Sequence, residues 1–432
     1  MRINKISIND FRGIDSLNIG LNGSSAIFFG INGVGKSTIL RAVDLLFANL
    51  IWKITKSSKK LADLQESDIR VHRVEASIKV QVEFEDGSVD EYSRSISRER
   101  GRKHSAKSLD ELAEKFVKKY LSVPYSDEDG NWIEPQDIVN MPIFVNYGVN
   151  RLADKVEPKG EKKVYGKLNA FDKAIENRLD FDQLFTWLRN REDLENQIKV
   201  STQSDFYDKG LECVKKAMFA MLDGFSKSIR IERKTMTLEI EKNGSVMDFN
   251  CLSDGEKCTM ALFGDIARRL VIANPSLDNP LEGTGVVSID EIDLHMHSSW
   301  QRKILGCLRE IFPNLQFLIT THSVQVLGEA GDDYKQFLVE RGADGIVVCR
   351  QLQTSYGLDC NTVSEDVFGV PSVSYRIKNM VDEMYDSLDR EDLSRAAELA
   401  DEIDRTTKGR NVDVVRARNI IDRRKRRNEA NK

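Results

Sequence analysis

The apolar positions divide the chain into strand-like and helix-like stretches. Ile3, Ile6 and Ile8, then Leu17, Ile19 and Leu21, are spaced as two short β-segments with FRGID turning between them. Residues 26–29 form a compact apolar strand that runs into a Gly-rich turn. A helix follows from near Lys36, with Ile39, Leu40, Val43, Leu45 and Leu46 as its apolar face. Residues 74–98 alternate as strands around an EDG hairpin turn. The pattern then predicts an amphipathic helix at 108–121 and a buried strand at 141–148. A helical stretch covers 168–227, and strands cover 228–250 with a turn at 242–244. Helix 252–273, strand 285–291, helix 296–311, strand 315–323 and a hairpin at 337–352 complete the pattern, and 378–428 is helical and densely charged. This alternation predicts an α/β architecture.

Composition narrows the class. The chain has 432 residues, 40% hydrophobic and 31% charged, enough for a sizeable core beneath a well-solvated surface. No apolar run reaches the ~18–20 residues needed to span a bilayer, and MRINKISINDFRGI has no apolar signal region, so a cytoplasmic protein is expected. A net charge of −5 argues against a generally basic nucleic-acid binder. Two local basic clusters remain, at 98–104 and around Arg416, Arg418 and Arg423. Each reads equally well as a nucleic-acid contact or as ordinary solvated charge, and the tail helix also carries Val414, Val415, Ile420 and Ile421 for docking a partner. The six cysteines are scattered without a CxxC pair, as expected of reduced thiols.

The chemistry concentrates in a few segments. Residues 30–37, GINGVGKS, fit G-x-x-x-x-G-K-[ST] at every fixed position, after a strand and before a helix. Such a loop turns backbone N–H groups toward phosphates. Asn32, Gly33, Gly35, Lys36, Ser37 and Thr38 are therefore candidate ATP contacts, and Ser37 is a candidate Mg²⁺ ligand. VVSIDE (286–291) is an apolar strand ending in two carboxylates: Asp290 is a candidate Mg²⁺ ligand and Glu291 a candidate general base. LSDGEK (252–257) opens a helix. Ser253 with Glu256 reads as a capping box, while the position about 35 residues before the acidic strand makes Ser253, Gly255 and Glu256 candidate γ-phosphate contacts. The strand ITTHS ends in His322, a candidate phosphate sensor. His295 and His297 sit two apart with no third ligand at suitable spacing, which argues against a metal site there.

These segments resemble the ABC-type ATPases, in their SMC, RecF and OLD branch. LSDGEK is similar to the LSGGQ signature, with Asp254 where the first glycine is usual. Arg12 in NDFRG fits the same pattern, and Gln65 in LQESDI stands where a metal-contacting Q-loop belongs, although a polar turn would look the same. LHMHSSWQ, with Ser298 where proline is usual, resembles a segment of OLD-like and related defence ATPases, and YGVNR resembles a strand end of the same ATPases. FTWLRNREDLEN resembles a helix of the PtuA ATPases of Septu and retron antiphage systems, and with the other motifs that resemblance covers roughly residues 1–330. A solvated amphipathic helix would also explain the last segment. The resemblance implies ATP and Mg²⁺ as cofactors and a homodimer or higher homo-oligomer. Ser253 of one copy would then complete the site of the other. It also implies a separate HNH nuclease (PtuB-like) partner and, in retron versions, a reverse transcriptase with its RNA–DNA hybrid.

The expected organisation is an N-terminal ATPase lobe (1–150), a projecting helical insertion (151–227), a C-terminal ATPase lobe (228–352) and a helical partner-binding region (353–432). The chain shows no nuclease constellation of its own, having only five histidines. Asp254 predicts slow hydrolysis. Two alternatives stand beside this reading. A RecF/SMC-like DNA-repair ATPase would bind DNA by itself, and an OLD-like nuclease would carry its carboxylates after His322.

Overall fold

The computed structural model describes residues 1–57, 62–99, 103–105, 108–121, 125–126, 132–133, 140–151, 165–203, 205–235, 237–342, 344–371 and 373–430. Residues 100–102 of the basic loop and 152–164 of the predicted insertion lie outside them. The chain forms two compact units, Met1–Gly357 and Leu358–Lys432.

In the first unit, β1 (Arg2–Phe11) and β2 (Ile14–Gly20) form the predicted hairpin, and β3 (Ser25–Phe29) feeds α1 (Lys36–Thr55). Next come β4 (Glu75–Glu83), β5 (Val89–Ser97), β6 (Lys103–Ser105), α2 (Ser108–Tyr120) and the small pair β7 (Tyr125–Ser126) and β8 (Trp132–Ile133). Strand β9 (Ile143–Tyr147) precedes helices α3 (Phe181–Thr202) and α4 (Lys209–Met218). Strands β10 (Phe225–Glu232), β11 (Thr237–Lys242) and β12 (Ser245–Asp248) lead into α5 (Asp254–Ala273). The unit closes with β13 (Gly285–Ile289), α6 (Ser298–Ile311), β14 (Leu315–Thr321), α7 (Val324–Gly328), β15 (Tyr334–Arg341) and β16 (Val347–Leu352).

Two sheets carry the unit. One runs β2-β1-β4-β5-β6, antiparallel throughout, and β4 alternates buried and more exposed positions as a one-sided sheet should. The other runs β16-β15-β3-β14-β13-β9. Its strands β15, β3, β14, β13 and β9 are parallel, with β16 antiparallel at the edge. Strands β3, β9, β13 and β14 are buried at every position, which explains why they read as mainly apolar segments rather than alternating ones, with Asn146, Ser288, Gln316, Thr320 and Thr321 as buried polar members.

The stretch expected to project is packed instead. Trp187 is 1% exposed, and Leu184 and Met218 close over Gly264 of α5, where an added Cβ would lie 2.8 Å from Met218 Cγ. Burying such side chains gains roughly 1.5–3 kcal/mol each, more than α3 and α4 would gain standing free in water. A buried network fixes this packing. Asp265 accepts from Arg268 at 2.6 Å, Arg269 at 2.8 Å and Tyr147 Oη at 2.8 Å.

The second unit holds α8 (Cys360–Thr362), α9 (Tyr375–Asp389), α10 (Leu393–Thr407) and α11 (Val412–Ala430). Met384, Leu399, Ile403, Val414 and Ala417 make its own small core. No helix among the described residues is long and apolar enough to cross a membrane.

Candidate functional site

The parallel sheet presents three strand ends at one place. β3 ends in the 30–37 loop, β13 in Asp290 and Glu291, and β14 in Thr320, Thr321 and His322. The loop needs its first glycine. Gly30 has φ +145°, and a Cβ there would sit 2.1 Å from Val339 O. Lys36 is 5% exposed, and its ammonium donates to Gly30 O and Ile31 O, both at 2.9 Å. Burial pushes its pKa down to about 8, against the pull of Glu291, Asp290 and Asp293. Asn32, Gly33 and Ser37 are exposed at the loop, and Thr38 N–H bonds Gly35 O at 3.0 Å in the first turn of α1.

Ser37 Oγ donates to Asp290 Oδ1 at 2.9 Å, joining residues 253 positions apart. Thr320 Oγ1 donates to the same carboxylate oxygen at 2.5 Å and accepts from Glu291 N–H at 2.7 Å. Thr321 Oγ1 donates to Asp293 Oδ1 at 2.5 Å. Glu291 adopts φ +49°, a left-handed conformation that costs a non-glycine residue about 1 kcal/mol. His322 is half-buried. Burial and the nearby Lys36 cation lower its pKa, so it is neutral at physiological pH.

Arg12 and Gln65 form a second group. Arg12 Nε donates to Asp68 Oδ1 at 2.8 Å, and Gln65 N–H donates to Asp68 Oδ2 at 3.0 Å. Gln65 is exposed in this turn, so the polar-turn reading describes its local geometry. Around the signature segment, Ser253 N–H and Oγ both donate to Glu256 Oε2, at 3.0 and 2.8 Å, and Glu256 N–H returns a bond to Ser253 Oγ at 3.4 Å. The capping box is therefore present. Gly255 lies against the LHMH turn, where an added Cβ would be 2.4 Å from His295 O. The Asp254 side chain is 63% exposed, with a carboxylate oxygen 3.8 Å from Lys257 Nζ.

His297 caps α6, its Nδ1 accepting from Ser299 N–H at 3.3 Å. Among the described residues no group of three or more His, Cys, Asp or Glu side chains could hold a metal ion. The Ser37 hydroxyl with the Asp290 carboxylate is a different kind of donor set. Two hard oxygens beside a phosphate-binding loop suit a Mg²⁺ that takes its other ligands from phosphate and water. In the FTWLRNREDLEN helix, Glu195 Oε2 accepts from Asp208 N–H at 3.0 Å and Arg191 pairs with Asp208 at 2.7 Å, so these charges fasten α3 to the start of α4.

Sequence reasoning gave no role to Thr320, Thr321, Asp44 or the Arg151 side chain. The two threonines did leave a signal, as a polar pair ending an apolar strand just before His322. Asp44 left none, being a polar residue inside an apolar helix face.

The Retron Ec83 probable ATPase of Escherichia coli is 29% identical over 391 residues, covering 76% of this chain and 69% of that protein. The Retron Vc95 probable ATPase of Vibrio cholerae serotype O1 biovar El Tor is 28% identical, covering 76% and 71%. The Septu protein PtuA of Bacillus thuringiensis is 23% identical, covering 93% of both chains. A solved SMC head domain from Thermotoga maritima aligns with TM-score 0.44 and 15% identity, over 82% of this chain and 100% of that one. A family model described as "AAA domain, putative AbiEii toxin, Type IV TA system" matches residues 25–328, more than two thirds of the chain, and the chain belongs to that AAA-domain family.

Proposed function

We propose that this chain is the ATPase subunit of an antiphage defence system of the Septu or retron type. It binds ATP with Mg²⁺, hydrolyses it slowly in a sandwich of two copies, and controls a separate HNH nuclease. The observation that carries the ATPase reading is the 2.9 Å bond from Ser37 Oγ to Asp290 Oδ1. A phosphate-loop hydroxyl and a strand-end carboxylate meet across the chain where a Mg²⁺ nucleotide needs both. The names of the relatives, retron ATPases and Septu PtuA, support the defence setting.

In this reading the loop N–H groups, with Asn32, Gly33, Gly35, Lys36 and Thr38, bind the phosphates, and Lys36 gives up its carbonyl partners to reach them. Ser37 and Asp290 would hold Mg²⁺, which supplies charge neutralisation at the phosphates. Gln65 would join them once its exposed side chain turns inward. Glu291 orients the attacking water as general base, His322 senses the γ-phosphate, and Arg12 steadies the nucleotide from the hairpin side. Ser253, Gly255 and Glu256 serve the nucleotide of the second copy. Asp254 points to solvent beside Lys257, so closure is tolerated but not helped, which supports slow turnover. The lobes 1–150 and 228–352 form the head, with α3 and α4 of the 151–227 stretch packed on α5, and the helical region from 353 onward docks the partner.

The test is purification of the tagged chain from cells carrying its native locus, with the mass of the complex measured with and without ATP. A small HNH protein accompanying a multimer of this chain supports the reading. A chain that comes alone and binds DNA in an ATP-dependent, salt-sensitive way overturns it in favour of the RecF-type alternative. Mg²⁺-dependent nicking by the chain alone overturns it in favour of the OLD-like one.

A further inference from the structure

Glu291 is clamped on both sides. Its N–H is held by Thr320 Oγ1 at 2.7 Å. Its carbonyl accepts from Arg151 Nη2 at 2.5 Å and from Leu294 N–H at 2.9 Å. A left-handed non-glycine residue persists only where its surroundings over-determine it, and these bonds do so. Arg151 follows β9, whose Tyr147 O already takes the Asp290 N–H at 2.9 Å.

Arg151 is unusual in its burial. It is 3% exposed, and its Nη1 is buried with no hydrogen-bond partner among the described residues. Asp290, Asp293 and Glu291 are close enough to act on its charge. A guanidinium loses much of its hydration on burial, and an apolar side chain would fill the space more cheaply. Its main chain reaches a third element. Cys258 Sγ, in the first turns of the helix that Ser253 caps, donates to Arg151 O at 3.1 Å.

We infer that Arg151 is a positioning residue for hydrolysis: it fixes the Glu291 carbonyl, and with it the aim of the Glu291 carboxylate, and ties that aim to the signature helix through Cys258. Because that helix would serve the nucleotide of the other copy, each site gains a mechanical link to its neighbour. The inference rests on the ATPase reading, with Glu291 as base.

Steady-state ATP hydrolysis and affinity for a fluorescent ATP analogue, measured on the full chain, test it. Arg151→Ala should lower kcat about 10- to 100-fold, the loss typical of a slightly misaimed catalytic group, with nucleotide affinity and KM within about twofold of wild type. Arg151→Lys should recover part of kcat, since an ammonium can donate to the same carbonyl. Adding Arg151→Ala to Glu291→Gln should cost nothing further, because the two act as one unit. If Arg151→Ala fails to fold, Arg151→Lys and Cys258→Ala carry the test, and lowered kcat at unchanged affinity supports the inference. Wild-type kcat in these variants, or equal losses of kcat and affinity, overturns it while leaving the ATPase reading intact. A wild-type chain that neither binds nor hydrolyses ATP overturns both.

Discussion

Replacing Asp44 by asparagine should stabilise the first unit, and the gain should grow as pH rises. Asp44 is 4% exposed in the middle of α1, and its Oδ2 accepts from Asn146 Nδ2 at 2.6 Å. Burial raises its pKa from 3.8 to about 7, despite opposing help to the carboxylate from Ser288, Arg41 and Asn146. Between those two values the folded chain keeps a proton that the unfolded chain has released. Wild-type stability therefore falls as pH rises from about 4 to 7, and levels off above about 7 once both states are ionised. At ~1.4 kcal/mol per pH unit, the ionised carboxylate costs at most about 4 kcal/mol. Asparagine keeps the shape and the acceptor for Asn146 without the charge, though its amide N–H groups need partners of their own. The stability difference between variant and wild type should thus be larger at pH 8 than at pH 5 by about 2–3 kcal/mol. Urea unfolding followed by tryptophan fluorescence measures it, since all four tryptophans lie within the first unit. A difference of the same size at both pH values would refute the argument.

Three further outcomes follow from the packing. Asp265→Ala strands two buried arginines and a tyrosine hydroxyl, and should lower stability by about 3–5 kcal/mol in the same unfolding assay, or abolish soluble expression. Gly255→Ala drives a methyl into His295 O, 2.4 Å away, and should cut ATP turnover at least ~10-fold while leaving ATP binding by a single copy intact, as read by a fluorescent analogue. Asp254→Gly removes an exposed carboxylate from the signature turn. It should raise both ATP-dependent self-association in sedimentation and the hydrolysis rate, by a few-fold each.

The strand and helix pattern was legible because each element's burial is written locally. β4 alternates as a one-sided strand, while β3 and β13 are mainly apolar and buried throughout, as interior parallel strands are. The 30–37 loop was legible because its chemistry is contiguous. The meeting of Ser37 with Asp290 was inferred from the kinds of motif involved, as nothing local to either residue encodes the other. What escaped depends on tertiary neighbours. Thr320 reads as a strand residue until Asp290 and the Glu291 N–H are seen on its hydroxyl. Arg151 is legible only as the last residue of the YGVNR segment, and its burial and its bond to the Glu291 carbonyl are not. The stretch 168–227 was legible as helical, but its docking was not. Gly264 makes room for Leu184 and Met218, and no local periodicity announces that contact.

The order of strands in the parallel sheet has a consequence for biosynthesis. β3 sits between β14 and β15, so the strand that carries the phosphate loop has no sheet neighbour until residues beyond 315 have been made. The antiparallel sheet built from residues 2–105 can pair on the ribosome as soon as it emerges. At ~5–20 residues per second, the 253 positions separating Ser37 from Asp290 represent about 10–50 s of translation. For that interval the nascent chain holds a glycine loop with no acidic partner, and the two can meet only after about two thirds of the 432 residues have been made.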